Sequence, residues 1–183
     1  MTVDAGKSPA VIFDDADMDI TARRILWSKY TNAGQICITT DYIICTKATQ
    51  PKLVASFKKA LEEFSPGVGL LDNENYSKII SDNHYNRLGK LLDESKGEVV
   101  IGGKKDDEKN KIEVTILTDV KEDDSLMKGE IFGPILPILT METREDAVDF
   151  INARSNPLAL YSFTGNSDNT KYRTSVPKTS NSR

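Results

Sequence analysis

The sequence is short of the residues from which many sites are made. Its single histidine is His84, and its two cysteines are Cys37 and Cys45. That set matches no zinc-binding spacing and builds no disulfide framework. The glycines form neither a G-x-G-x-x-G nor a Walker A pattern, so neither of these two phosphate cradles is present in the sequence. No apolar run approaches the ~20 residues that a membrane-spanning helix needs. The opening MTVDAGKSPAVIF has one lysine and only a short apolar stretch, which is not a secretory signal. Basic charge is not in excess: 24 Lys and Arg stand against 28 Asp and Glu, a net charge of −4. Nucleic-acid binding, which needs a basic footprint, is therefore not expected. Sparse cysteine and the missing signal suit a cytoplasmic protein with no membrane segment.

What remains is the make-up of a globular domain. The chain has 183 residues, 38% hydrophobic and 28% charged, enough for one core without a staple. Ala10 to Phe13 reads as a short strand, and the acidic run Asp15, Asp17, Asp19 opens a helix over 17–32, stopped near Gly34. Tyr42 to Cys45 is a β-branched apolar strand. Leu53, Phe57, Ala60, Leu61 and Phe64 recur at helical spacing over 51–64. A second such stripe, Tyr85, Leu88, Leu91 and Leu92, marks a helix over 82–95. Strands follow at Glu98–Ile101 and Glu113–Leu117, separated by a charged, hairpin-like excursion over 104–111. Another lies within 131–140, after a Gly-Pro turn. Thr143 and Asp146 have the spacing of a capping box and start a helix through Ala153, and Leu158–Thr164 is strand-like. Strands alternating with helices predict an α/β fold with a largely parallel sheet flanked by helices. From Gly165 onward the only aliphatic residue is Val176, so residues 166–183 are expected to form a loose polar tail.

Three places are able to carry chemistry. Cys37 lies just past a predicted helix end, where backbone N–H groups help a thiol to ionise. The same residue also reads as a small buried hydrophobe, and the residues alone leave both readings open. Cys45, inside an apolar strand, reads as core. His84 sits among polar residues and reads as a surface-helix histidine. Glu130-Ile131-Phe132-Gly133-Pro134 offers a carboxylate for a ribose hydroxyl and a ring for stacking, or else an ordinary strand-entry turn.

Gly6-Lys7-Ser8-Pro9, Gly34-Gln35-Ile36-Cys37, Glu130-Ile131-Phe132-Gly133-Pro134 and Pro157-Leu158-Ala159-Leu160-Tyr161 occur in this order. Together they resemble the catalytic domain of the aldehyde dehydrogenase superfamily. The wording of Asp41-Tyr42-Ile43-Ile44-Cys45 and Ile135-Leu136-Pro137-Ile138 is most similar to the class 3, fatty-aldehyde type. The resemblance spans residues 6–165 and implies an aldehyde dehydrogenase catalytic-domain portion over 1–165, incomplete at both ends and without the coenzyme-binding domain. It also implies NAD(P)-dependent oxidation of an aldehyde to a carboxylic acid. Cys37 would be the nucleophile, forming a thiohemiacetal and then a thioester. Glu130 would bind the nicotinamide ribose, Phe132 would pack near the nicotinamide, and Gln35 would position the loop. The family's general base is a glutamate, and the aligned position here holds Val3, which cannot take a proton; Asp4 is one residue away. The resemblance thus implies a chain impaired when alone, or a non-catalytic fragment that acts as a binding module. Faces that meet the coenzyme domain or another subunit in the family would be exposed here, so self-association is expected.

Overall fold

A computed structural model of the chain describes residues 6–166. Val3, Asp4 and all but the first residue of the 166–183 tail lie outside the described residues. The element order follows the predicted one: β1 (Pro9–Ile12), α1 (Met18–Tyr30), β2 (Tyr42–Cys45), α2 (Gln50–Phe64), α3 (Asp82–Glu94), β3 (Glu98–Ile101), β4 (Lys105–Asp106), β5 (Lys111–Ile112), β6 (Thr115–Thr118), β7 (Ile135–Thr140), α4 (Arg144–Asn152) and β8 (Tyr161–Phe163). Helix boundaries follow local chemistry. Asp17 caps α1 by accepting from the Ile20 N–H, and Ser81 caps α3 through the His84 N–H. The capping box of α4 is present, with Thr143 and Asp146 each bonding the other's backbone.

Six strands form one sheet in the order β3-β6-β7-β2-β1-β8. Every pairing is parallel except β3 with β6, which is antiparallel at the sheet edge. The charged 104–111 segment is a separate two-stranded hairpin of β4 and β5. The crossover from β1 through α1 to β2 and that from β7 through α4 to β8 run across the sheet in opposite directions. Right-handed connections therefore place α1 and α4 on opposite faces. Central strands buried on both faces explain the unbroken apolar runs: all four residues of β2 are buried, as are the first five of β7.

Two predicted elements come out shorter. The helix predicted over 17–32 ends at Tyr30, because Asn32 and Ala33 adopt left-handed backbone conformations with φ of 52° and 50°. The strand reading of 158–164 contracts to β8 because only Ala10 to Ile12 of β1 are there to pair with it.

Candidate active site

β7, β2 and β1 are neighbours and parallel, so their amino ends lie side by side. Lys7 precedes β1, the segment from Gly34 to Asp41 precedes β2, and Glu130 to Pro134 precede β7. Topology therefore brings together three sequence motifs, the first and last of which, at Lys7 and Glu130, are 123 positions apart.

The turn before Cys37 is tightly folded. Asn32, Ala33 and Gly34 are consecutive left-handed residues, and Gly34 has a φ of 69°. Left-handed backbone costs a non-glycine residue roughly 1–2 kcal/mol. A Cβ on Gly34 would lie 2.3 Å from the Gly133 carbonyl oxygen, so only glycine fits where the two loops touch. Gln35 is buried and fully engaged. Its side-chain amide donates to the carbonyls of Asn32 (2.9 Å) and Lys78 (3.1 Å), and its oxygen accepts from the Ile80 N–H (2.9 Å). Cys37 itself is exposed. Among the described residues its peptide N–H makes no hydrogen bond. Cys45 is buried, and burial pushes its thiol up to about 12. The two cysteines are thus opposites.

Beneath the loops lies a buried charge cluster. Asp41 is 1% exposed. It sits 3.1 Å from the Lys7 ammonium and 4.0 Å from that of Lys29. Its carboxylate also accepts from the Ile131 N–H at 3.1 and 3.2 Å. The cations then collect the carbonyls of the Glu130 loop. Lys7 donates to Leu126 (2.9 Å) and Gly129 (2.8 Å), Lys29 donates to Gly133 (3.1 Å), and Arg87 of α3 donates to Glu130 and Ile131. Charge-assisted bonds of this kind are the stronger ones. Burial lowers the Lys29 ammonium to about 8, against the pull of Asp41, and it lowers Lys7 in the same direction. Glu130 is half-buried, and its carboxyl is raised first by burial and then by the charge of Asp41. No hydrogen bond reaches its carboxylate oxygens among the described residues. It lines a polar cleft of about 250 Å³ together with Lys7 and Arg154. Phe132 is half-buried and left-handed, with a φ of 49°.

Bordering the residues on either side of Cys37 is an apolar groove of about 460 Å³, lined by Trp27, Ile36, Ile38, Tyr161 and Phe163. Trp27 is 62% exposed and Ile38 51%. His84 is exposed on α3, and no cluster of metal-ligating side chains exists among the described residues.

Sequence reasoning singled out Cys37, Gln35, Glu130 and Phe132; the fold brings the loops that carry them together at one end of the sheet. It missed Asp41, Lys29, Arg87 and Tyr161. Lys29 had a readable signal: it continues the buried stripe Ala22, Ile25, Leu26 of α1, and a lysine on a core-facing stripe needs a buried partner. Asp41 and Tyr161 lay within matching motifs but without a role, and Arg87 had no signal, because the partners of all three are remote in sequence.

A model of the aldehyde dehydrogenase family matches residues 4–176. The chain is 46% identical over 164 residues to aldehyde dehydrogenase family 3 member H1 of Arabidopsis thaliana, covering 88% of this chain and 34% of that protein. It is 42% identical over 161 residues to the rat dimeric NADP-preferring aldehyde dehydrogenase, covering 88% and 35%. Among solved structures, the substrate-bound AldH of Staphylococcus aureus superposes with a TM-score of 0.88 at 37% identity, over 92% of this chain and 36% of that one. The NAD-dependent aldehyde dehydrogenase of Sinorhizobium meliloti gives 0.79 at 28% identity, over 92% and 35%. No helix among the described residues is long and apolar enough to cross a membrane. The chain spans about a third of the length of these relatives. With a matched motif set on a matched fold, the chain belongs to the aldehyde dehydrogenase family.

Proposed function

We propose that this chain carries the thiol side of an NAD(P)-dependent aldehyde dehydrogenase site, which oxidises an aldehyde to a carboxylic acid with Cys37 as the nucleophile. The observation that carries this reading is the state of Cys37. Its thiol is exposed, its peptide N–H is unpartnered among the described residues, and the loop around it is tied down. A thiolate here forms a C–S bond to the aldehyde carbon while the carbonyl π electrons move to oxygen. The resulting alkoxide rests against the Cys37 N–H, a donor that needs no reorganisation. The groove beside Trp27 and Ile38 takes the apolar part of the aldehyde.

NAD(P), when bound, would supply the hydride acceptor that oxidation of the thiohemiacetal to a thioester needs. The residues fit such a group. Glu130 is a half-buried carboxylate with free lone pairs, the acceptor that ribose hydroxyls require. Phe132 offers the adjoining ring, and Gln35 positions the neighbouring Cys37 loop through its bonds to Asn32, Lys78 and Ile80. One relative is named for NADP and another for NAD, and both nucleotides are proposed for this chain. The rat relative's name describes a dimer, and self-association is proposed here too. Val3, aligned with the family's base, cannot activate water, so thioester release is the impaired step. If thioester release fails altogether, the second reading applies, a non-catalytic binding module.

Iodoacetamide labelling with peptide mapping tests the nucleophile. Cys37 should alkylate on the order of a hundredfold faster than Cys45, because the thiolate is the reactive form and burial holds Cys45 protonated. The reverse order removes the assignment. In parallel, the chain with a medium-chain aldehyde and either nucleotide should form NADH or NADPH only slowly. Rapid, Cys37-dependent formation would overturn the impairment.

A further inference from the structure

The Cys37 loop is held from two sides. On the side before the cysteine, the Gln35 amide ties the loop to the backbone at Lys78 and Ile80. On the side after it, Thr39 donates its N–H to the Ile36 carbonyl (3.0 Å) and its hydroxyl to the Ser28 carbonyl (2.9 Å). One further bond arrives from a strand 123 positions away: the Tyr161 hydroxyl donates to the Ile38 carbonyl at 2.6 Å. Tyr161 starts β8, and its register opposite Ala10 of β1 fixes where its ring stands.

We propose that Tyr161 is a positioning residue for the Cys37 nucleophile, acting through the carbonyl of Ile38. The inference rests on the reading of Cys37 as nucleophile. A backbone carbonyl presents its negative end to whatever is nearby, and a thiolate one residue away is disfavoured by a free one. The phenol hydrogen occupies that negative end and fixes the Ile38–Thr39 peptide plane, one residue beyond Cys37. With the N–H of Cys37 left unpartnered on the other side, the local dipoles then favour charge on sulfur or on an attached oxygen. Burial, and then the neighbouring Cys37, raise the Tyr161 phenol, so it stays a hydrogen donor through neutral pH. Ser162, next along the same strand, has a buried hydroxyl that makes no hydrogen bond among the described residues. It shares the strand with Tyr161 and lacks the link to the loop.

The test compares the full 183-residue chain as wild type, Tyr161→Phe and Ser162→Ala, reading iodoacetamide alkylation of Cys37 with Cys45 as internal reference. Tyr161→Phe keeps the ring and removes the donor. It should slow Cys37 about fivefold at neutral pH, the size expected for one lost hydrogen bond of ~1 kcal/mol. The slowing should vary with pH, because it acts on the supply of thiolate, the reactive form. Amides of residues 37–39 should exchange faster with deuterium while those of β1 and β2 keep their protection, and Ser162→Ala should match wild type. Slowing by the same factor at every pH, or equal slowing in Ser162→Ala, would mean a merely structural strand and overturns the proposal. So does a wild-type rate in Tyr161→Phe. If wild-type Cys37 does not outrun Cys45, the nucleophile reading itself fails, a result distinct from the others.

Discussion

The two ends of one sheet each carry a cysteine, and the chain has built them differently. At the amino ends of β1, β2 and β7, Asp41 lies buried between two lysines, and four non-helical residues (Asn32, Ala33, Gly34 and Phe132) take left-handed backbone. There Cys37 is exposed and Glu130 keeps unfilled lone pairs. At the carboxyl ends, Phe13, Cys45 and Met141 border a cavity of about 310 Å³. Its polar neighbours satisfy one another: Asp14 accepts from Thr46 and Thr49, both at 2.6 Å, and Thr143 is spent in its capping box. Open α/β sheets usually bind ligands beyond the carboxyl ends of their strands. Here the larger investment in strain and buried charge is at the amino ends. Strain and unfilled donors or acceptors are costly, so they locate the chemistry better than the presence of a cavity does.

The comparison breaks most visibly at the two aspartates. Asp41→Ala leaves Lys7 and Lys29 buried without their counter-charge and should cost about 3–5 kcal/mol. Asp14→Ala removes two hydrogen bonds at an exposed side chain and should cost roughly 1 kcal/mol. Urea denaturation of both variants settles the ranking; equal losses would show the amino-end cluster to be ordinary.

Glycine sharpens it next. Gly34→Ala forces a Cβ to within 2.3 Å of the Gly133 oxygen at a φ of +69°. It should lose more than about 2 kcal/mol through clash and left-handed strain together. Gly67 has a similar φ of +67° and nothing within 4 Å of its Cβ position, so Gly67→Ala carries the strain alone, about 1 kcal/mol. Melting temperatures that fall equally would place the whole cost in the backbone.

A pH slope at the carboxyl end sharpens the comparison last, because it is absent at neutral pH and builds up only in alkali. Burial raises the Cys45 thiol from 9.0 to about 12. Below pH 9 it is protonated in both folded and unfolded chains, and its contribution to stability is fully present. As pH climbs from 9 towards 12, the unfolded chain releases this proton and the folded chain keeps it, so stability is lost by up to ~1.4 kcal/mol per pH unit. The stability of wild type minus that of Cys45→Val should therefore decline across this window. Lys29 has the opposite sign between about 8 and 10.5, but it is common to both chains and cancels. A flat difference would mean that Cys45 is not held protonated.

How far the sequence reached depends on range. α2 was legible because its stripe of Leu53, Phe57 and Ala60 repeats at helical spacing, and the α4 cap because Thr143 and Asp146 are three residues apart. The early end of α1 was not, because Asn32 and Ala33 take left-handed backbone only where Gly34 must pass against Gly133. Cys37 and Glu130 were visible as motifs. Their exposure, their neighbours and the contact between their loops were not.

The sequence by itself determined the element types, the parallel α/β class and the family, since each rests on periodicity, capping residues or contiguous motifs. Only the tertiary structure decided which of two cysteines reaches solvent, that Asp41 pairs with two lysines, that Arg87 and Tyr161 lean on loops far along the chain, and that the loops of the candidate site meet at the amino ends of the strands. Periodicity and caps act over a few residues, whereas desolvation and electrostatic pairing depend on distances that exist only once the sheet has set strands β7, β2 and β1 side by side.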